Sequence, residues 1–241
     1  MTGKGKQWLA ALGGLVVGGA AVALAGGSGA VADGGDRAAI ETVVREYILS
    51  HPEIIPEAMK RLQERDAANI VASNRKALET PFPGAWAGAK EGDATLVMFS
   101  DYSCGYCRAS VPAIERLLAE DKKLKIVWRE LPILGPGSEL AAREALSAAK
   151  QGKYMDFHRR MFAAGPPDAA KLSAVGRAIG LAANTQSSAE IDREIESNVA
   201  LARTLGLTGT PSFVVGDRLL MGAVGYDTLK KAVAEARAKK G

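Results

Sequence analysis

Residues 95–107 read TLVMFSDYSCGYC, and they decide the fold class of this chain. The first five form an apolar run short enough for a buried strand, and Cys104 follows at the next turn. Residues 109–120 have a helical pattern that contains Pro112, and residues 124–129 predict a second strand. A strand, a helix and a strand in this order make a βαβ unit, which predicts a parallel pairing and an α/β fold.

The chain downstream of this unit predicts a block of helices and then a hairpin. Residues from about 138 to 205 are rich in Ala, Leu and Glu, with glycines at the breaks and no strand candidate. Residues 212–221 predict a β-hairpin that turns at a Gly-Asp pair, and residues 226–239 predict a closing helix. A Pro-Phe-Pro-Gly boundary signal lies just upstream of the unit. The main domain is therefore predicted to span residues 81–241.

Residues 33–80 predict a helical arm ahead of this domain. Apolar side chains recur at helical spacing, and the pattern is interrupted near Pro52, where a new helix begins. The apolar stripe is too narrow to bury a core of its own. It must pack on the main domain or on copies of itself, so we expect the arm to support a homo-oligomer.

The first 32 residues have the composition of an export signal. Lys4 and Lys6 precede an uncharged run from Trp8 to Ala25, and small residues in Ala-x-Ala order follow. Either a cleaved signal peptide or an uncleaved membrane anchor fits this pattern. Both predict a location in the periplasm or cell envelope, where a disulfide persists.

Composition excludes several classes of function. The chain has 241 residues, a net charge of +4 and no basic run interleaved with aromatic residues, which argues against nucleic-acid binding. Only two cysteines are present, in one Cys-x-x-Cys, and the two histidines lie at no zinc-finger spacing from them. We therefore predict neither a metal site nor a cofactor.

The two cysteines have the spacing of a redox pair. Cys104 comes after a predicted strand and at a helix start, where free backbone N–H groups and the helix dipole stabilise a thiolate. We expect Cys104 to be the exposed nucleophile and Cys107, one turn inside, to be the resolving thiol. Thr210-Pro211 stands directly before a predicted strand, and such a proline can be cis and leave the Thr210 backbone free to bind an extended peptide.

The combination of residues 99–107, FSDYSCGYC, with Thr210-Pro211 resembles the DsbA family of thioredoxin-fold proteins. Upstream, residues 47–59 resemble the N-terminal region of the ScsC-like and Com1-like branch. The resemblance implies a thioredoxin fold with an inserted helical domain and an N-terminal helical arm. It also implies Cys104 as nucleophile, Cys107 as its partner and Pro211 as a cis-proline facing them. It implies that the N-terminal helices oligomerise, trimers being known in this branch.

Two departures from DsbA itself bear on function. Gly105-Tyr106 stands where DsbA has Pro-His, and Met98 stands where DsbA has a buried acidic residue. Glu130, at the end of the second strand, is an accessory candidate as a proton relay, with a surface or loop-anchoring role as the alternative. The Cys-Gly-Tyr-Cys motif and Thr–cis-Pro pair together resemble oligomeric disulfide isomerases such as DsbC.

The favoured function is therefore an exported disulfide isomerase or reductase that acts on protein disulfides and is kept reduced by a membrane partner. One alternative is a dithiol oxidase, in which the same residues transfer electrons in the opposite direction. The other is a Cu(I)-binding copper-tolerance protein. His158 lies in the helical block and is interpreted as a packed or capping residue.

Overall fold

The computed structural model describes residues 34–182 and 188–239, so the predicted signal or anchor over residues 1–32 lies outside the described residues. In chain order, the elements are α1 (Gly34–Ser50), α2 (Ile54–Glu79), β1 (Trp86–Gly88), β2 (Ala94–Ser100), α3 (Gly105–Glu120), β3 (Leu124–Glu130), α4 (Pro136–Lys150), α5 (Tyr154–Ala164), α6 (Ala169–Ala178), α7 (Ala189–Thr204), β4 (Ser212–Val215), β5 (Arg218–Met221) and α8 (Gly225–Ala238). The predicted α/β class is confirmed.

One five-stranded sheet, in the order β1-β3-β2-β4-β5, forms the centre of the fold. β2 and β3 pair in parallel, as the βαβ pattern predicts, and β4 and β5 form the predicted antiparallel hairpin. β4 also pairs antiparallel with β2, which sets Ser212 opposite Phe99. The short edge strand β1, antiparallel to β3, has no counterpart among the predicted strands.

Alternation along the strands divides the core into two layers. Leu96, Met98, Ile126 and Trp128 belong to a large cluster with residues of α3, α4, α5 and α8. Val97 and Val127, on the opposite face, belong to a smaller cluster with residues of α2 and α7. Because both faces are covered, β2 and β3 each carry apolar side chains on both faces of the sheet.

The described chain forms two compact units that divide between Ile54 and Ile55. Val71 and Leu78, in the C-terminal half of α2, are buried in the smaller cluster. The helical arm predicted over residues 33–80 is therefore split between the two units, and the end of α2 packs on the sheet. Arg129 of β3 holds this end, because its guanidinium donates to the carbonyl oxygens of Ala77, Leu78 and Thr80.

In the part of the chain that the structure describes, no helix is both long enough and apolar enough to cross a bilayer.

Candidate active site

Cys104 lies in the turn between β2 and α3. It is the N-cap residue of α3, with extended backbone angles (φ −79°, ψ 117°). Its Sγ accepts a hydrogen bond from the backbone N–H of Cys107 at 3.4 Å. The free N–H groups and the dipole at this helix end favour a negative charge on the sulfur.

The Asp101 carboxylate holds the turn that presents Cys104. Its oxygens accept from the backbone N–H of Ser103 at 2.7 Å and from the Ser138 hydroxyl at 2.6 Å. They also accept from the backbone N–H groups of Ile133 and Leu134, in the loop after β3, at 2.9 and 3.0 Å. Asp101 thus ties the turn before the first cysteine to the loop beside it.

The Thr210–Pro211 segment faces Cys104. The peptide bond between these two residues is cis, and the Cys104 thiol donates to the Thr210 carbonyl oxygen at 3.2 Å. The pairing of β4 with β2 brings the segment to this place. The structure corrects one expectation: Cys104, predicted to be exposed, is only 7% exposed.

Cys107 lies inside the first turn of α3 and is completely buried. Burial raises the pKa of its thiol well above the usual range, and a backbone hydrogen bond from Asp101 offsets this only in part. Neither Cys104 nor Cys107 is disulfide-bonded in this structure. The two sulfurs thus differ in surroundings, since only Cys104 has a helix-start N–H directed at it.

Gly105 and Tyr106 form the open side of the site. Tyr106 is 71% exposed, and beyond its chain neighbours and the backbone of α3 no atom lies within 4 Å of a Cβ atom placed on Gly105. Both residues therefore face open space at the start of α3.

Glu130 lies at the end of β3, on the face that carries Trp128, and is fully buried in a polar cluster. The Tyr154 hydroxyl donates to its Oε1 at 2.6 Å, and the Tyr102 hydroxyl donates to the same atom at 3.4 Å. The Tyr102 hydroxyl also lies 3.3 Å from Nδ1 of His158. We call Tyr102, Glu130, Tyr154 and His158 the buried tetrad.

The charge states of the tetrad follow from its burial. Burial raises the pKa of Glu130 to about 8, and the Tyr154 hydrogen bond opposes this shift. Burial lowers the pKa of His158 to about 3, so its imidazole is neutral. Burial, followed by the charge of Glu130, raises the pKa of Tyr102, and the charge of Cys107 adds to that rise.

Of these four residues, Glu130 was predicted as a relay candidate and His158 as a packed residue, whereas Tyr102 and Tyr154 were not predicted. One signal in the sequence points to Glu130. Side chains alternate along a strand, so Glu130 lies on the same face of β3 as Ile126 and Trp128. An ionisable residue on that apolar face is unusual. The tyrosines carry no such local signal, because an aromatic residue is ordinary in a core.

No group of three or more His, Cys, Asp or Glu side chains within the described residues is arranged to hold a metal ion. Chemically, the site contains two thiols of unequal environment, a carbonyl acceptor beside the outer one and a buried acid. Such a site is suited to the formation and resolution of mixed disulfides.

Comparison with known proteins identifies two regions of the chain. Residues 95–234 match the DSBA-like thioredoxin domain. Residues 36–69 match the Copper resistance protein ScsC N-terminal domain. A linker-deletion variant of Proteus mirabilis ScsC superposes with a TM-score of 0.70 and 28% identity, over 88% of this chain and 100% of that one. The thioredoxin fold that the resemblance implies is confirmed.

Two curated relatives match shorter stretches. Na(+)/H(+) antiporter NhaA 1 of Salinispora arenicola is 30% identical over 156 residues, which are 62% of this chain and 24% of that protein. Probable thiol:disulfide interchange protein DsbC of Bordetella avium is 30% identical over 127 residues, 53% of this chain and 37% of that protein. The chain thus spans about a quarter of the length of the first relative and just over a third of the second.

Proposed function

Because the chain belongs to the DSBA-like thioredoxin family, we propose that it is an exported thiol–disulfide oxidoreductase that acts on protein substrates. The observation that carries this proposal is the placement of Cys104. Its sulfur is the N-cap of α3, accepts the Cys107 N–H and lies beside the Thr210 carbonyl. A cysteine pair without a redox role would not be expected to combine these three features.

The proposed reaction runs through a mixed disulfide. The Cys104 thiolate attacks one sulfur of a substrate disulfide, the substrate S–S bond breaks, and the other substrate sulfur leaves as a thiolate. Cys107 then attacks the Cys104 sulfur, which frees the substrate and forms the Cys104–Cys107 disulfide. The backbone of Thr210, before Pro211, is proposed to bind the substrate as an extended segment beside the sulfur.

Gly105 and Tyr106 are proposed to act as accessory residues for access. The open space at Gly105 lets a substrate backbone approach Cys104, and the exposed Tyr106 ring offers an apolar contact beside it. Neither residue is proposed to take part in bond making.

For the direction of electron flow, we propose isomerase or reductase activity. The Gly-Tyr dipeptide between the cysteines supports it, as does the similarity to the Bordetella avium protein named as a probable DsbC. The second candidate is dithiol oxidation by the same residues, which the match to the DSBA-like domain supports. A reduced resting state fits the first direction and an oxidised one fits the second.

The arm is proposed to join copies of this chain into a homo-oligomer, a trimer being one form. On α1, the side chains of Ile40, Val43, Val44 and Tyr47 are each at least half exposed. Surface patches of this kind mark association sites in soluble proteins. The match of residues 36–69 to an ScsC N-terminal domain supports an arm of that type.

The refolding of a scrambled multi-disulfide protein tests the proposal. The reduced protein should restore the activity of the substrate, and Cys104→Ser should abolish this, whereas Cys107→Ser should retain slow shuffling and accumulate mixed disulfides. Absence of rescue together with rapid oxidation of a dithiol substrate would favour the oxidase. If Cys104→Ser were as active as the unmodified protein, the site would be misassigned.

Location and partners are tested together. We propose the periplasm or cell envelope, with a membrane redox partner that reduces the Cys104–Cys107 disulfide. Thiol trapping on the isolated envelope fraction should find the pair mostly reduced. A cytosolic protein, or a pair that stays oxidised in that fraction, would contradict this part of the proposal.

A further inference from the structure

β5 is an edge strand, and one side of its backbone points away from the sheet. Its only neighbour in the described sheet is β4. The N–H of Gly222 donates to the Pro211 carbonyl oxygen at 2.8 Å, one position beyond the pair that Ser212 forms with Met221. Because hydrogen-bonded and non-hydrogen-bonded pairs alternate along antiparallel strands, Leu219 and Met221 direct their N–H and C=O groups away from β4. No backbone group of another described element bonds to them.

This free edge lies in a groove between two helices. Residues of α2, β5 and α8 line the groove, which has a volume of about 760 Å³, and Leu219 and Met221 are among them. The two helices cover opposite faces of the sheet, since Leu219 packs on the cluster that contains α2 residues and Leu220 on the cluster that contains α8 residues. The edge of β5 therefore has one helical wall on each side.

The groove ends beside the Thr210–Pro211 segment, which faces the outer cysteine. Met221 is 47% exposed, and its Sδ accepts from the hydroxyl of Thr208, two positions before that segment, at 3.7 Å. The next residue of the chain, Gly222, donates to the segment itself. A polypeptide held by the Thr210 backbone therefore reaches the groove within a few extended residues.

The backbone groups of this edge determine which ligand fits it. Free N–H and C=O groups on alternate residues, about 7 Å apart, match the backbone of one added strand. A second copy of β5 is a poor occupant, because it would bring its own α2 and α8 against the two walls of the groove. A single extended segment has no such helices.

We propose that the free edge of β5 binds an extended segment of the substrate protein by strand addition, while a cysteine next to that segment reacts with Cys104. This inference rests on the proposed function, since it takes the substrate to be a protein that is unfolded near its disulfide. The backbones of Leu219 and Met221 bind an extended chain of any sequence. On the α2 wall, the small side chains of Ala67 and Ala68 leave room for large apolar substrate residues.

A peptide trapped on Cys104 tests this proposal in the full-length Cys107→Ser protein. The probe is a synthetic peptide of alternating Thr and Val with a central Cys, joined to Cys104 as a mixed disulfide. Amide hydrogen exchange, followed by nuclear magnetic resonance, should slow at Leu219 and Met221 roughly tenfold or more relative to the same protein with glutathione on Cys104. Exchange at Leu220, whose N–H points into the hairpin, should change little.

Modified peptides and edge variants test whether the contact is made by the backbone. N-methylation of every second peptide residue should abolish the protection in one of the two possible patterns and spare it in the other. Leu219→Pro removes an outward N–H but no hairpin hydrogen bond, and should shift the exchange equilibrium on Cys104 about fivefold from the peptide toward glutathione. Leu219→Ala is the matched control, because it keeps the N–H, and should leave the equilibrium within about twofold. Ala68→Trp fills the groove from the α2 wall and should act like Leu219→Pro in a chain whose edge is unchanged.

The outcomes separate this inference from the function on which it rests. Exchange at Leu219 and Met221 that is as fast with the peptide as with glutathione, or equal effects of the two N-methylation patterns, would overturn the strand addition. Protection that grows with protein concentration in the absence of peptide would assign the edge to a second copy and overturn the proposed occupant. Failure of the peptide to link to Cys104 would instead overturn the proposed function, and this inference with it.

Discussion

Replacing Glu130 with Gln should make the protein less sensitive to alkaline pH. The native state raises the pKa of this carboxyl from 4.5 to about 8, chiefly through burial. Its proton is therefore held by the folded chain and lost by the unfolded chain at intermediate pH. The stability of the unmodified protein falls as pH rises through this window and stops falling above the folded-state value.

The size of the effect follows from the two pKa values. Each pH unit between them changes the free energy of unfolding by about 1.4 kcal/mol. From about pH 6 to about pH 8, allowing for partial ionisation at the upper end, the unmodified protein should lose about 2 kcal/mol relative to Glu130→Gln. Gln is close to Glu in shape and keeps an oxygen for the two tyrosine hydroxyls, but it does not titrate.

Urea unfolding of the reduced proteins at both pH values, followed by far-ultraviolet circular dichroism, measures this difference. Glu115→Gln serves as the control, because it removes the same charge from an exposed pair with Arg159. We expect that control to change stability by less than about 1 kcal/mol at either pH. Equal pH dependence in Glu130→Gln and the unmodified protein would refute a protonated Glu130 in the native state.

Three further predictions follow from other contacts. Arg129→Met should lower the free energy of unfolding, measured by urea denaturation, by about 3 kcal/mol, because Glu194 and the carbonyl oxygens at the end of α2 lose their donor. A loss below about 1 kcal/mol would contradict this prediction. Val43→Glu should reduce the molar mass measured by analytical ultracentrifugation to that of a monomer, whereas Thr42→Glu should not. An unchanged molar mass in both variants would show that α1 is not part of the proposed interface. Asp101→Asn should speed amide hydrogen exchange at Ile133 at least tenfold, since the carboxylate that accepts the Ile133 N–H becomes a weaker amide acceptor. Unchanged protection would show that the loop after β3 does not depend on Asp101 for its order.

Much of the fold was predictable because its signals are local. β2 is an apolar run of strand length, β3 has an apolar centre over Ile126–Trp128, and the Gly216-Asp217 turn separates two short strands in the predicted way. Cys104 falls at the N-cap because the strand before it and the helix after it both have clear patterns. Each of these predictions depends only on residues that are close to one another in the sequence.

The features that were missed depend on distant residues. β1 has three residues, and its pairing partner on β3 lies about forty positions downstream, so no periodicity reveals it. The buried tetrad joins the turn after β2, the end of β3 and α5. The hydrogen bond between the Cys104 thiol and the Thr210 carbonyl also joins residues 106 positions apart. Only tertiary structure brings these groups together.

Two adjacent ionisable residues of β3, Arg129 and Glu130, favour one pairing register of this strand. Arg129 and Glu130 point to opposite faces, Arg129 toward Glu194 of α7 and the end of α2, and Glu130 toward the tyrosines of the other layer. A slip of one residue would exchange the two faces. It would turn Arg129 toward the layer of His158 and Glu130 toward Glu194, so that Arg129 would lose its ion pair and Glu130 its tyrosine donors. Loss of the partners of a buried arginine costs several kcal/mol, which disfavours the slipped register. Arg129 and Glu130, whose partners lie on opposite faces of the sheet, thus both help to select the correct pairing of β3.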